Sequence, residues 1–312
     1  MLKYNKAEDI VFLSDDKVAT KQYLQEDIVY ENISEYFKSS MEFEKIYQHM
    51  SYNKKQYELF CFQRWLILNE YVKKNNIPVF AHIDSDVLLF SNAEKYYDKY
   101  LKNYDFCYVW SCGHVFFWTP KGLEHFSDFL FDQYTNHIDT LEPYFTWENI
   151  SCVYRNNWSC YQDRTNCVTD MTLFYLFVKQ EHINIQTKDI WIIENNNVFD
   201  NCIHMDEWFK YWFWLKKFKW DNGQPYWFLK GDKTQNRIYF QALHFQWKSK
   251  KFMKYFSETN TSSLEYFKAI FPFWIRKVWI RCLEKIFKLL WVYEIVRNFY
   301  LKKIRKWINP RE

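Results

Sequence analysis

The chain has 312 residues, a formal net charge of +4 and 48% hydrophobic residues, which is enough for one large domain with a sizeable core. Its four glycines argue against a fold built on glycine-rich phosphate loops, and no apolar run is long enough for a standard transmembrane helix. Its eight cysteines, without a Cys-x-x-Cys pair, argue against a ribbon-type zinc site and a dithiol redox motif and predict a reduced, cytoplasmic compartment.

Strand and helix patterns alternate from the start of the chain. Two short apolar runs, Ile10–Leu13 and Ile28–Tyr30, predict strands. The residues Glu35–Met50 predict a helix with Ser34 as its N-cap. Apolar residues at helical spacing predict a longer helix over Gln56–Lys74.

The alternation continues through the middle of the chain. A strand is predicted over Val79–Ile83, and it ends in two acidic residues, Asp84 and Asp86. The elements expected next are a helix, two strands and a helix, at Ala93–Leu101, Phe106–Trp110, His114–Trp118 and Pro120–Tyr134. This alternation predicts an α/β fold with helices on the faces of its sheet.

The second half of the chain begins with a polar, irregular stretch from 136 to 168, of the kind that often carries function. After it, Thr169–Gln180 predicts a helix capped by Thr169 or by Asp170. A further strand is predicted over Arg237–Phe240. The chain is therefore expected to return to α/β structure after a long loop.

The end of the chain differs in composition from the rest. Residues 1–257 are assigned to the main domain and 258–312 to a helical tail, in which eleven Lys or Arg stand against three Glu between Ile270 and Glu312. Basic and aromatic residues at helical spacing are typical of a helix on an anionic membrane surface, here the inner face of the membrane. The alternative is a helix packed on the domain with a solvated basic face. Because the remainder of the chain is mildly acidic, no nucleic acid partner is expected.

The strongest chemical signal is the sequence Asp84-Ser85-Asp86 at the end of a predicted strand. In an open α/β sheet such a strand delivers its carboxyl end to the crevice where ligands bind. Two acids at this spacing bring hard oxygen ligands near one point, as Mg²⁺ and Mn²⁺ require, one directly and the other through water. The simpler interpretation is a polar strand end, since Asp favours turns.

Three segments in this order resemble the GT-A glycosyltransferases. In that family a helix carrying an Arg, as in Phe62–Trp65, leads into a strand that ends in an apolar-flanked Asp-x-Asp, as in Val79–Leu89. Val168–Met171 is similar to the family's later acidic position, and Leu243–Lys250 is similar to its His-Phe-x-Gly-x-x-Lys element. The resemblance covers about residues 1–257.

The resemblance implies a fold and an activity. The fold is a GT-A-like, Rossmann-like mixed sheet flanked by helices, followed by the basic C-terminal helices. The activity is a metal-dependent glycosyltransferase that moves a sugar from a nucleotide-diphospho-sugar, with a UDP-sugar favoured, to a glycan or glycolipid acceptor. The metal, Mn²⁺ or Mg²⁺, neutralises charge on the leaving diphosphate.

The resemblance also implies the metal ligands. Asp84 and Asp86 bind the ion, and His244 is the third ligand. A neutral imidazole is able to complete such a site with two acids. The simpler interpretation of His244 is a partly buried histidine on an aromatic strand.

The remaining implied contacts concern the donor and the acceptor. Arg64, Asp84 and Lys250 are placed at the donor, where a lysine supplies a point charge to a phosphate. Arg64 is expected either to approach the donor phosphates or to brace Asp84. Asp170 is placed near the acceptor hydroxyl, as its base or as a positioning group. The simpler interpretations are a helix arginine whose stem covers apolar surface, a solvated lysine and a helix N-cap aspartate.

Two features depart from the family pattern. Trp247 stands where the family element has Gly, which permits close backbone approach to the phosphates. The chain also begins late, so Ile10–Leu13 is expected to be the second strand of the fold and part of the base-binding site is expected to be missing. These departures keep a second hypothesis open, a degenerate, non-catalytic transferase-like domain that acts as a membrane-associated binding partner.

A different enzyme class has a weaker resemblance. Ile83–Val87 is also similar to the nucleophile motif of haloacid-dehalogenase-type phosphatases. In this chain Leu88 takes the position of a Thr in that motif, and Asp232 leads to Asn236 rather than to a second acid. A phosphatase is therefore the less favoured enzyme.

Overall fold

The computed structural model describes most of the first 257 residues. The described ranges are 4–15, 28–51, 53–109, 112–141, 167–180, 184–203, 208–209, 211–212, 215–216 and 218–257. The basic tail and most of the polar loop, with the predictions made for them, lie outside the described residues. None of the described helices combines the length and the apolar character needed to cross a bilayer.

The described α-helices are α1 (Lys38–Ile46), α2 (Lys55–Lys74), α3 (Ala93–Tyr96), α4 (Pro120–Asn136), α5 (Ile138–Leu141), α6 (Asp170–Lys179) and α7 (Met253–Ser257). A π-helical turn, Tyr97–Leu101, extends α3, and 3-10 helices occur at Ala7–Asp9, Ile33–Tyr36 and Trp247–Phe252. The described strands of the first half are β1 (Val11–Ser14), β2 (Val29–Asn32), β3 (Phe80–Ile83), β4 (Val87–Leu89), β5 (Phe106–Val109) and β6 (Cys112–Trp118). Those of the second half are β7 (Thr187–Asp189), β8 (Asn197–Phe199), β9 (Tyr211–Trp212), β10 (Leu215–Lys216), β11 (Lys219–Asp221), β12 (Gln224–Trp227) and β13 (Ile238–His244).

Two sheets carry most of these strands. The first has the order β3-β6-β5-β7, in which only β5 and β7 are parallel. In the second, β11, β12, β13 and β4 are antiparallel neighbours in that order, and β8 pairs with β13 in parallel. The two remaining pairs are β1 with β2, parallel, and β9 with β10, antiparallel. The predicted α/β class is therefore confirmed as a mixed α/β arrangement.

An aromatic core joins the helices to the first sheet. Trp65 of α2, Phe126 of α4 and Phe174 of α6 are fully buried, and the last two stack with centroids 4.2 Å apart. On the sheet, Phe106 stacks on Trp118 at 3.9 Å. Burying each such side chain contributes about 2–3 kcal/mol. This core fixes α2 against the sheet, and α2 carries one of the predicted site residues.

A second core brings the two sheets together. Val87 and Leu89 of β4 are buried with Val115 and Phe117 of β6 and with Ala242 of β13. Because β3 lies in one sheet and β4 in the other, the residues between them form the link between the two sheets. These linking residues are the predicted acidic pair.

The helix predicted over Glu35–Met50 is confirmed only over Lys38–Ile46, and Ser34 is not its N-cap. A 3-10 helix comes first, and Asn32 caps it by accepting a hydrogen bond from the Ser34 backbone N at 3.0 Å. The α-helix that follows, Lys38–Ile46, is shorter than predicted because the backbone at Tyr47 is extended. Asn side chains compete with Ser for such caps, so the pattern alone did not distinguish them.

The start of α6 settles which residue caps it. Thr169 accepts a hydrogen bond from the Thr172 backbone N at 3.2 Å, and the Thr172 side chain accepts one from the Thr169 backbone N at 3.2 Å. This reciprocal pair is a capping box. Asp170 is therefore not the cap, and its carboxylate makes other contacts.

Candidate metal and donor site

The turn Asp84–Asp86 is held by backbone hydrogen bonds from both sheets. Asp84 N donates to the carbonyl of His114 on β6 at 2.9 Å, and Val87 N donates to the Asp84 carbonyl at 3.1 Å. Phe245 N, just after β13, donates to the Asp86 carbonyl at 2.8 Å. The two acids are thus fixed at the junction of the two sheets.

Arg64 of α2 binds two carboxylates. Its Nη1 donates to Asp84 Oδ1 at 3.1 Å, and its Nη2 donates to Asp170 Oδ2 at 2.6 Å. The guanidinium also lies 4.7 Å from the centroid of the Trp65 ring, whose Nε1 donates to the same Asp170 oxygen at 3.3 Å. Burial alone would lower the pKa of Arg64, but the two carboxylates outweigh it and raise that pKa above its usual value. Arg64 therefore stays charged and holds both acids in place.

Asp84 and Asp170 are engaged differently. Burial raises the pKa of Asp84, and Arg64 opposes that rise. Asp170 is 4% exposed, and its second oxygen, Oδ1, accepts from the Met171 backbone N at 2.9 Å. Both Asp170 oxygens thus have protein donors. This arrangement favours the positioning role for Asp170 over the role of a base.

Gly113 of β6 leaves the space that the guanidinium occupies. A Cβ at this position would lie 2.6 Å from Arg64 Nη2 and 3.6 Å from Asp170 Oδ2. The first of these distances is far shorter than a van der Waals contact. The glycine is therefore required by close approach of a side chain and not by an unusual backbone angle.

Gly113→Ala is expected to displace the guanidinium from Asp84 and Asp170, because the new methyl group and Nη2 cannot both keep their positions. We expect a loss of about 1–3 kcal/mol in the free energy of unfolding, as for other overpacked sites. Urea denaturation measures it. A matched control is Gly231→Ala, where no heavy atom lies within 4 Å of a new Cβ but φ is +84°, so only a backbone penalty is expected. An unchanged Arg64 contact in a crystal structure of Gly113→Ala would contradict this interpretation.

The second acid has different partners. His244 Nε2 lies 3.5 Å from Asp86 Oδ1, and Lys250 Nζ lies 3.0 Å from Asp86 Oδ2. Burial alone would raise the pKa of Asp86, but the contacts with His244 and Lys250 outweigh it and lower that pKa. Asp86 is therefore an ionised carboxylate with a cationic and an imidazole neighbour.

The His244 ring directs its Nε2 at that carboxylate. Its Nδ1 lies 2.6 Å from the carbonyl oxygen of Asn201, which is able only to accept, so Nδ1 carries the proton. In the neutral ring Nε2 then has a lone pair directed at Asp86 Oδ1. Two acceptor atoms that face each other require a cation between them, either a second proton or a metal ion. Two ligands of one ion with bonds of about 2.1 Å are about 3 Å apart, close to the separation seen here. The donor set therefore fits a divalent metal.

Lys250 lies on the 3-10 helix Trp247–Phe252 and its side chain is 56% exposed. Its partner Asp86 is only 13% exposed, so the lysine reaches inward from the surface. Trp247 begins this helix and is not among the residues with positive φ. Its backbone therefore does not need glycine, and the departure from the family pattern imposes no backbone strain.

Sequence reasoning missed a further group beside Arg64. Ligand atoms of Glu58, Cys61 and Asp170 lie within 4.8 Å of one another. Burial raises the pKa of Glu58 and raises that of Cys61 to about 12, so the thiol is protonated. Ser51 and Asn53 donate to Glu58 at 2.9 and 2.7 Å. Because protein donors occupy both oxygens of Asp170 and Oε2 of Glu58, and the thiol is protonated, the group fits a metal less well than Asp86 and His244 do. Glu58 and Cys61 share one face of α2, a spacing that could have revealed them.

His114 was also missed as a site residue. Its ring stacks on that of His244, with centroids 3.8 Å apart and planes at 14°. The sequence showed His114 only as the start of a predicted strand, and the contact joins residues far apart in the chain. It limits rotation of the His244 ring.

The structure brings all six predicted site residues into two adjoining groups. Arg64, Asp84 and Asp170 form one, and Asp86, His244 and Lys250 form the other. The Asp84–Asp86 turn connects them. Comparison of the chain with protein-family models, with curated proteins and with solved structures finds no match.

Proposed function

We propose that this chain is a metal-dependent glycosyltransferase of the GT-A kind, which binds a nucleotide-diphospho-sugar, with a UDP-sugar favoured, and transfers the sugar to a glycan or glycolipid acceptor. The observation that carries the proposal is the pair His244 Nε2 and Asp86 Oδ1, 3.5 Å apart with Lys250 beside them. A cation site next to an exposed lysine suits a diphosphate.

The residues have separate roles in this proposal. Asp86 and His244 hold the metal, which neutralises charge on the leaving diphosphate. One carboxylate and one imidazole favour Mn²⁺ over Mg²⁺, because Mg²⁺ prefers oxygen ligands. Lys250 is exposed and contacts Asp86 through its Nζ atom. In this proposal it turns from Asp86 to the phosphates of the donor.

The other group supports the site from the helix side. Arg64 fixes Asp84 through an ion pair. In this proposal Asp84 contacts the metal through water or contacts the donor directly. Asp170 holds Arg64 through a 2.6 Å ion pair. In this role Asp170 keeps a positive charge beside the donor site and does not transfer a proton.

The fold is compatible with the proposal. A mixed α/β arrangement delivers the acidic pair at the carboxyl end of β3, where such folds bind ligands. The alternative, a degenerate binding domain, was suggested partly by Trp247; the 3-10 helix there imposes no backbone strain, and the alternative stays a second hypothesis. The acceptor and the membrane contact of the tail stay predictions.

The proposal is tested by calorimetric titration of the protein with UDP. In Mn²⁺ we expect a dissociation constant between about 1 μM and 1 mM, the range usual for substrates. After removal of the metal by a chelator, binding should fall below detection. Uridine, which lacks the diphosphate, is the matched control and should not bind in either buffer. UDP binding of equal strength in chelator, or no binding in Mn²⁺, would overturn the proposal.

A further inference from the structure

A completely buried ion pair lies directly behind His244. Lys216 of β10 and Asp200 are both 0% exposed at their side chains, and Lys216 Nζ donates to Asp200 Oδ1. The same Nζ donates to the Cys202 carbonyl at 3.0 Å. We infer that this pair fixes the orientation and the tautomer of His244, and so acts as a positioning device for the metal site; the metal part of this inference rests on the proposed function.

The pair is connected to both the backbone and the ring of His244. Asp200 Oδ2 accepts from the His244 backbone N at 3.4 Å. The next residue, Asn201, supplies the carbonyl that binds His244 Nδ1 at 2.6 Å. Displacement of Asp200 would therefore move the acceptor that decides which ring nitrogen carries the proton.

The segment from Asp200 to Ile203 is held on its other side as well. Ile203 N donates to the His244 carbonyl at 3.0 Å, and Lys216 N donates to the Ile203 carbonyl at 2.9 Å. Lys216 therefore binds the segment at three residues. Its side chain contacts Asp200 and the Cys202 carbonyl, and its backbone N donates to the Ile203 carbonyl. The segment Asp200–Ile203, called the strap below, lies between β10 and the end of β13.

The stacked ring is fixed by the same strap. His114 Nε2 lies 3.0 Å from the Asp200 carbonyl oxygen, so Asp200 positions both histidine rings. The face of His244 and its Nδ1 edge are then both occupied, and its Nε2 edge is directed at Asp86. A metal ligand is normally oriented in this way by what its second nitrogen binds.

Stability alone does not account for an ion pair at this position. Taking two charges out of water is unfavourable, and replacing both by apolar residues of similar size is often neutral or stabilising. Replacing one partner leaves the other charge buried and unpaired, which favours unfolding. The informative change therefore removes both charges together.

The test compares the wild type with Asp200→Leu/Lys216→Met. Histidine ¹⁵N spectra of the metal-free proteins report which nitrogen of His244 is protonated, and His244→Gln assigns its signals. Mn²⁺ binding is measured separately by electron paramagnetic resonance. We expect Nδ1 of His244 to carry a proton in every wild-type ring, a partial loss of that proton in the double variant and a loss of Mn²⁺ affinity of about 10–100-fold, as for other groups that orient a metal ligand.

Two controls make the result specific. Asp200→Asn/Lys216→Gln keeps hydrogen-bonding groups without charge and should restore the wild-type tautomer. Arg237→Met removes a solvent-facing ion pair with Asp221 just before β13, and it should change neither readout.

Each outcome bears on the inference. A wild-type ring without a proton on Nδ1 would overturn it without any variant. So would a folded Asp200→Leu/Lys216→Met protein that keeps the wild-type tautomer and binds Mn²⁺ within twofold of wild type. A wild type that binds no Mn²⁺ would overturn the metal function, while the tautomer spectra still decide whether Lys216 and Asp200 position His244.

Discussion

Asp86→Ala is expected to abolish Mn²⁺-dependent UDP binding while the protein stays folded. The variant loses the carboxylate that faces His244 Nε2 and pairs with Lys250. We expect affinity for UDP in Mn²⁺ to fall by more than about 100-fold, beyond the effect usual for residues that only orient a ligand. Calorimetric titration measures the loss.

The Asp86→Ala variant is expected to fold because the two partners of Asp86 keep other hydrogen-bonding partners. Lys250 is exposed and returns to water, and His244 keeps its Nδ1 hydrogen bond. Asp232→Ala is the matched control, since Asp232 is a surface carboxylate that contacts the nearby residues Thr234 and Asn236. If Asp86→Ala bound UDP within threefold of the wild type in Mn²⁺, Asp86 would not be a metal ligand.

Arg64→Met is expected to have the largest effect on stability. It removes the partner of Asp170, whose side chain is 5% exposed, and leaves that carboxylate near Asp84 and Glu58. Breaking a buried pair in this way costs about 3–5 kcal/mol, and the partial exposure of Arg64 and Asp84, at 22% and 30%, places the expected value near the lower end. Urea denaturation measures the free energy of unfolding.

A surface pair provides the comparison for Arg64→Met. Lys73, also on α2, pairs with Glu124, and both side chains are about half exposed. Lys73→Met should therefore change stability by no more than about 1 kcal/mol. A loss below 1 kcal/mol for Arg64→Met as well would mean that water, and not the arginine, satisfies Asp170.

Local patterns predicted the elements that present the site. The longer helix was expected over Gln56–Lys74 and is observed over Lys55–Lys74, because apolar residues at helical spacing mark both its face and its length. The strand before Asp84 was expected from Val79 and begins at Phe80. These elements are set by neighbouring residues, so the sequence is sufficient to find them.

Pairing between distant parts of the chain was not predictable. The strand expected over Arg237–Phe240 runs to His244, because its later residues pair with Val87, Leu88 and Leu89 of β4. The division into two sheets also depends on distant residues. Although β3 and β4 are neighbours in sequence, β3 pairs with β6 and β4 pairs with β13. No local periodicity encodes such partners.

The residues of the site show the same contrast between what local patterns predict and what depends on distant parts of the chain. The type and order of its residues were predictable, because Asp84, Asp86 and His244 stand in recognisable motifs. Most of their contacts were not: bracing of Asp84 by Arg64 was among the expectations, but the ion pair of Arg64 with Asp170 depends on the route of α2 past the first sheet. Asn201 acts through a carbonyl oxygen, which every residue has, so no side-chain pattern marks it.

Under the proposed function, the link between the two sheets makes donor binding contribute to the stability of the fold. One set of contacts, at Arg64 and Asp84, belongs to the first sheet and its helices, and the other, at Asp86 and His244, belongs to the second. A molecule held by both sets ties the halves together, and at one hundred times its dissociation constant it adds about 2.7 kcal/mol to the work of separating them. The lifetime of this protein against unfolding and proteolysis would then follow the supply of its donor.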